Sequence, residues 1–368
     1  MESKNDTLPN SSAKKSRLLY LDHIKVFLIL LVVAHHAGQA YGPIDDWPLV
    51  SSEKSAILGP FFDVNGAFFM GLFFLISAYF IPASIDKRGV YSFIKSRFIR
   101  LGIPFIVVVI VLFGPITYFV DGVSGPFWEY MIFDYIGTLD FEIGHLWFIA
   151  LLFFLSVCYA LVRVIMKIPN PTKSRSLGHK QLFLFSISLI IANTLIRIWF
   201  PVGEWVNISP FMPVEVGRLP QYISFFAFGI LAYRSNWLEN IPIKTGVIWF
   251  TIGIIAASMH YLNVLTGLRS VYIWLVLEGF IGVGLIIGIL VIGREFANKR
   301  GKLLAFMAEN AFAVYIIHIF VVYILQGAME EIPSGALTKL FIVSILASLL
   351  SFLFSHLIRK IPTMKKVL

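Results

Sequence analysis

The sequence predicts an all-α, polytopic integral membrane protein of about ten transmembrane helices, each long enough to span a bilayer. Three observations predict it. Hydrophobic residues make up 58% of the 368 residues and charged ones only 14%, where a soluble domain carries about a quarter charged residues. The apolar residues form long unbroken runs; a membrane β-barrel would show weaker alternating segments of about ten residues. Between the runs, Lys and Arg gather on alternate sides, as expected of a chain threaded repeatedly through a bilayer.

The runs follow in order. The first, 19–41, comes after a polar tail, 1–17, and it lacks a small-residue cleavage site and carries charges, so it reads as a retained helix rather than a signal peptide. The second, 58–82, is rich in Phe and precedes a basic loop with Lys87, Arg88, Lys95, Arg97 and Arg100. The third, 103–120, leads to an acidic loop holding Asp121, Glu129, Asp134, Asp140 and Glu142. The fourth, 145–166, contains Cys158, the single cysteine, which excludes an intrachain disulfide and is expected to be inert in apolar surroundings. After it, "KIPNPTKSRSLGHK" reads as a loop. The fifth and sixth runs, 182–200 and 217–233, hold Arg197 and Arg218. The seventh, 245–262, is followed by 271–292, where "GFIGVGLIIGILVIG" suits close helix packing. The runs 310–327 and 336–358 complete the set.

With the N-terminal tail in the cytoplasm, most of the 30 basic residues fall on the cytoplasmic side, and both termini are expected there. The expected organisation is a polar tail 1–17, a single transmembrane domain 18–360 and a tail 361–368, in the inner (cytoplasmic) membrane of a cell. The net charge of +9 needs no nucleic acid. Anionic lipid, or an anionic cytosolic ligand, accounts for it.

The informative residues are the polar ones inside the runs. "LDHIKVFLILLVVAHHAGQAYG" carries Asp22, Lys25, His35 and His36. Lys25 and His36 lie three helical turns apart on one stripe, about 16 Å along the axis, while His35 points about 100° away. Asp22 is placed to neutralise Lys25, because an unpaired charge at that depth is costly. Imidazole can be neutral yet accept a proton, which makes His36 a candidate general base, and the stripe predicts that His36 and Lys25 look into one hydrated chamber. The plainer alternative is a juxtamembrane ion pair with outward-reaching histidines. Glu278, a carboxylate inside the eighth run, is a further candidate, with Arg197 as its expected partner. His145, His260 and His318 are expected to serve packing or the interface. Adjacent His35 and His36 point apart, so no metal site is expected.

Taken together, these stretches resemble the acyltransferase type 3 family of membrane-bound enzymes. Asp22, Lys25 and His36 match its first-helix pattern of an Asp, a basic residue three positions on, and a His after ten more. "FFMGLFFLISAYFIP" resembles its Phe-rich second helix, with Ala78 where Gly is usual, and "FIKSRFIRLGIPF" its Arg-x-x-Arg pair, matched by Arg97 and Arg100. "GHLWFIALLFF", "FFAFGILAYRSNWLENIP" and "ENAFAVYIIHIFVVY" follow in order, and the branch most resembled holds the osmoregulated-glucan modifying proteins. The resemblance implies transfer of an acetyl or succinyl-class group from cytosolic acyl-CoA, with no metal, to a hydroxyl of a cell-envelope carbohydrate. It also implies His36 as base, Lys25 and Asp22 beside it, and Arg97 and Arg100 on the CoA phosphates. A transporter of a polar solute, or a membrane scaffold, would also use such a bundle.

Overall fold

The computed structural model of the protein describes residues 18–43, 47–166, 176–266, 270–299 and 301–368. The tail 1–17 and the loop residues 167–175, with Arg269 and Arg300, lie outside the described residues. In order, the elements are α1 (Leu19–Gln39), α2 (Leu58–Tyr79), α3 (Ile81–Arg88), α4 (Val90–Arg97), α5 (Ile103–Val108), α6 (Gly114–Val120), α7 (Phe127–Glu129) and α8 (Trp147–Ile165). Then come α9 (His179–Ile196), β1 (Trp205–Ser209), β2 (Met212–Glu215), α10 (Leu219–Arg234), α11 (Trp237–Asn240), α12 (Ile243–Leu265) and α13 (Val271–Phe296). The last are α14 (Lys302–Glu330), α15 (Ala336–Ile358) and α16 (Pro362–Val367).

Among the described residues, nine helices are long and apolar enough to cross a membrane. Their outer faces expose Phe154, Ile165, Ile255 and Leu349, the reverse of a soluble protein's pattern. The chain is an integral membrane protein. The run expected at 217–233 folds as α10, whose 16 residues rise only about 24 Å. It packs along α2, with Tyr222, Phe225 and Phe226 buried.

Two local expectations are corrected. The basic loop after α2 is helical: α3 ends at Gly89, whose φ of 77° suits a residue without a side chain, and α4 leads through a π-helical turn, Phe98–Gly102, into α5. Arg97 and Arg100 therefore sit on a continuous helical path that begins earlier than the apolar run. The chain is also not wholly helical, because β1 and β2 form an antiparallel hairpin pairing Trp205 with Glu215 and Val206 with Val214. Strands this short, inside a loop, leave little periodicity to read.

α1 lies at the centre, packed against α2, α13, α14 and α15. α13 crosses α12 so closely that a Cβ on Gly284 would come within 2.5 Å of the Trp249 carbonyl oxygen. That approach explains the Gly-rich run. The helices around α1 bury Leu21, Ile24, Leu28 and Val33, and the site is built there.

Candidate active site

At the end of the bundle where α1 begins, a cavity of about 560 Å³ opens between α1, α2, α4, α8 and α14. Among the described residues five cationic side chains line it, Lys25, Lys87, Arg88, Arg97 and Arg100, together with Ser77, Ser84 and Ser96, and no carboxylate does. Lys87, Arg88 and Arg100 are exposed, whereas Ile149, Phe148 and Tyr315 on the inner wall are buried. The cavity thus runs from a cationic mouth to an aromatic, dry end, a shape suited to an amphipathic anion. Lys25 donates to Asp22 at 3.1 Å, as the spacing predicts, and its ammonium lies 5.3 Å from the centre of the Phe80 ring.

Behind that inner wall three imidazoles meet. His36 comes from the last turn of α1, His318 from α14 and His145 from the turn before α8. The His36 and His318 rings stack at 5.1 Å, and His145 stands edge-on 4.9 Å from His318. His36 Nδ1 and His318 Nε2 are 2.8 Å apart. His318 Nδ1 is 2.7 Å from the Tyr315 carbonyl and 3.2 Å from that of Val314, and carbonyls only accept, so this nitrogen carries the proton. Nε2 of His318 is then an acceptor, His36 donates through Nδ1, and the lone pair of His36 falls on Nε2. By the same logic His145 donates through Nε2 to the Ile316 carbonyl at 3.1 Å, leaving its buried Nδ1 without a partner among the described residues.

The outer side of His36 is also fixed. Trp47 lies flat on its ring at 5.6 Å and 13°, and donates its indole N–H to Gln326 at 2.9 Å. The Gln326 amide in turn donates to the carbonyls of His36 and Ala37, at 3.0 and 3.1 Å. His36 is thus held between Trp47 and His318.

Lys25 lines the cavity, and His36 is not among its lining residues. Three helical turns separate them along α1. Tyr315 joins the two regions: its ring lines the cavity, while its hydroxyl donates to the backbone carbonyl of His145. Arg97 and Arg100 share the cavity, as their spacing suggests. His145 and His318, expected to serve packing or the interface, are buried beside His36. Their signal was an imidazole inside an apolar helix, in "GHLWF" and "YIIHIF".

Glu278 is engaged elsewhere. Arg197 grips both its oxygens at 2.5 and 3.0 Å, and Arg218 adds a third bond at 3.2 Å while also holding Glu215 at 3.1 Å. The expected Arg197 partner is present, and Arg218 is one the sequence did not single out. No hydrogen bond among the described residues links Glu278 to His36 or Lys25. His35 points away from His36, among Phe61, Phe62 and Phe69. Among the described residues no group of three or more His, Cys, Asp or Glu is arranged to hold a metal ion.

Comparison with known proteins follows this geometry. A family model described as an acyltransferase domain matches residues 18–358. The chain is similar to "Glucans biosynthesis protein C" of Escherichia coli O81 (strain ED1a), 23% identical over 82% of this chain and 81% of that protein. It is 24% identical to the protein of that name from Escherichia coli (strain K12), over the same shares of each. No solved structure matches the chain. The match of nearly the whole helical bundle places the chain in the acyltransferase type 3 family.

Proposed function

We propose that this acyltransferase moves an acetyl or succinyl-class group from cytosolic acyl-CoA to a hydroxyl of a cell-envelope carbohydrate. The observation that carries the reading is a cationic cavity, lined by no carboxylate among the described residues, that ends one tyrosine away from a cluster of three histidines. Guanidinium forks suit phosphates, so Arg97 and Arg100, with Lys87 and Arg88, hold the CoA phosphates, and the buried aromatic end receives the pantetheine arm. The names of the similar proteins support a glucan as acceptor. In this reading the cavity end of the bundle faces the cytoplasm, ten spans place both termini there, and residues 18–360 act as one domain in the inner membrane.

His36 Nε2 takes the proton of the acceptor hydroxyl as its oxygen attacks the thioester carbonyl. The carbon–sulfur bond then breaks, and the proton passes to the departing CoA sulfur. Nδ1–H of His36 stays bonded to His318 throughout, so the ring keeps its orientation while its charge changes. Lys25, neutralised by Asp22, orients the donor in the cavity. Glu278 keeps Arg197 and Arg218 in place and takes no proton.

The test uses purified protein with labelled acyl-CoA and a gluco-oligosaccharide. Wild type transfers label, and His36→Ala at equal abundance does not. Replacing both Arg97 and Arg100 with Gln raises the KM for acyl-CoA by about tenfold or more, since each hydrogen bond to a charged group contributes about 1.5–3 kcal/mol. An unchanged donor KM, or solute flux without thioester consumption, would overturn the reading.

A further inference from the structure

A second cavity, of about 320 Å³, opens at the opposite end of the bundle. The two cavities sit at the two ends of α2: Asp63 lines this one and Phe80, just past its C-terminus, lines the donor cavity, about 25 Å away along the helix. Its rim residues Asp63, Ala56 and Val271 are at least partly exposed, and its wall is Trp274, His260 and Asn263. The volume falls at the small end of the range of about 300–1,000 Å³ typical of ligand sites.

The chemistry of this wall is unbalanced. His260 donates through Nε2 to the Asp63 carboxylate at 2.8 Å, and its ring rests 4.2 Å from that of Trp274. Among the described residues His260 Nδ1 has no partner, and neither does Asn263 Oδ1, although the two residues are only 4% and 8% exposed. Buried polar atoms are rarely left unpaired, and each one costs about 1–3 kcal/mol. In a neutral His260 both orphans are acceptors, and with the carboxylate they form a set that asks for donors. No Lys or Arg among the described residues lines the cavity, which disfavours a phosphate or an anionic lipid headgroup. The indole beside the set offers an apolar surface. A compact neutral molecule bearing several hydroxyls and an apolar ring face meets all of these conditions.

We propose that this cavity binds a sugar unit of a neutral saccharide through Trp274, Asp63, His260 and Asn263. The proposal rests on the reading of the protein as a carbohydrate acyltransferase, and it makes the cavity a subsite for part of the acceptor away from the reacting hydroxyl. Its position agrees. Phe62, which lines the cavity, also packs on Gly38 of α1 and lies 5.0 Å from the ring of His35, the neighbour of His36 in the chain. A chain-like acceptor gripped here is held beside the histidine turn of α1. A single free sugar loses that grip.

The experiment measures binding of a neutral gluco-oligosaccharide to the full-length His36→Ala protein in detergent, without acyl-CoA, by tryptophan fluorescence. Adding Trp274→Ala or Asn263→Leu weakens binding by about tenfold, as losing one anchor of a buried contact does, and Trp274→Phe recovers part of it. Thermal unfolding of each variant shows that it is folded. In otherwise wild-type protein the same substitutions raise the acceptor KM and leave the acyl-CoA KM unchanged. If the variants bind and react like their parents while transfer proceeds, the subsite is wrong and the enzymatic reading stands. If wild type never transfers label yet saccharide binding depends on Trp274, the subsite stands and the enzymatic reading falls. Binding of glycerol phosphate in place of the saccharide, or binding abolished by a chelator, would overturn the proposal in favour of a headgroup or a cation.

Discussion

At His318, two carbonyl oxygens of α14 leave the ring one way to place its proton, and that choice passes along a single hydrogen bond to His36. His318→Leu should therefore lower kcat by about 10–100-fold, the usual cost of removing a group that orients a working imidazole, and leave the acyl-CoA KM unchanged. His318→Gln, whose amide oxygen can accept from His36, should restore part of the rate. A kcat unaffected by the Leu substitution would leave His318 as packing alone. The sequence made Asp22, Lys25 and His36 legible because they sit on one helix, where spacing alone fixes direction. His318 lies 282 residues from its partner, and no local period can announce such a pair. For the same reason the other residues around Lys25 stayed hidden, because Phe148 and Tyr315 reach the cavity from α8 and α14.

Among the elements, α9, α10 and α13 are tied by the buried carboxylate of Glu278 and the guanidiniums of Arg197 and Arg218. Removing one member of such a set leaves charge uncompensated in low dielectric, which costs about 3–5 kcal/mol. Glu278→Gln should lower the unfolding temperature markedly, whereas the double change of Glu278→Gln with Arg197→Gln should recover part of the loss. An unaltered unfolding temperature in a protein that has lost activity would instead return Glu278 to the chemistry. Long helices were readable because each needs a long apolar run, and the run at 217–233 marked α10 despite its shortness. The hairpin of β1 and β2, the π turns and the helical path through Arg97 carry no such run. They are set by contacts with other parts of the chain.

For the molecule as a whole, the charge distribution predicts which end of the bundle meets the cytoplasm. In a Cys158→Ser background, Ser124→Cys should react with a membrane-impermeant maleimide in intact spheroplasts, and Asn298→Cys should react only after lysis. The opposite pattern would place the cationic cavity outside, beyond the reach of cytosolic acyl-CoA.

The aromatic wall at Phe148 and Tyr315 bears on permeability. Moving an isolated charge through hydrocarbon costs several kcal/mol at the least, and in the proposed reaction the phosphates of the nucleotide do not have to make the journey. In that reading the nucleotide stays at one mouth, the saccharide at the other, and only the short acyl group passes the rings. A bundle plugged this way can hand chemistry across the bilayer without becoming a leak for protons or ions, and the gradients on which the cell depends stay intact.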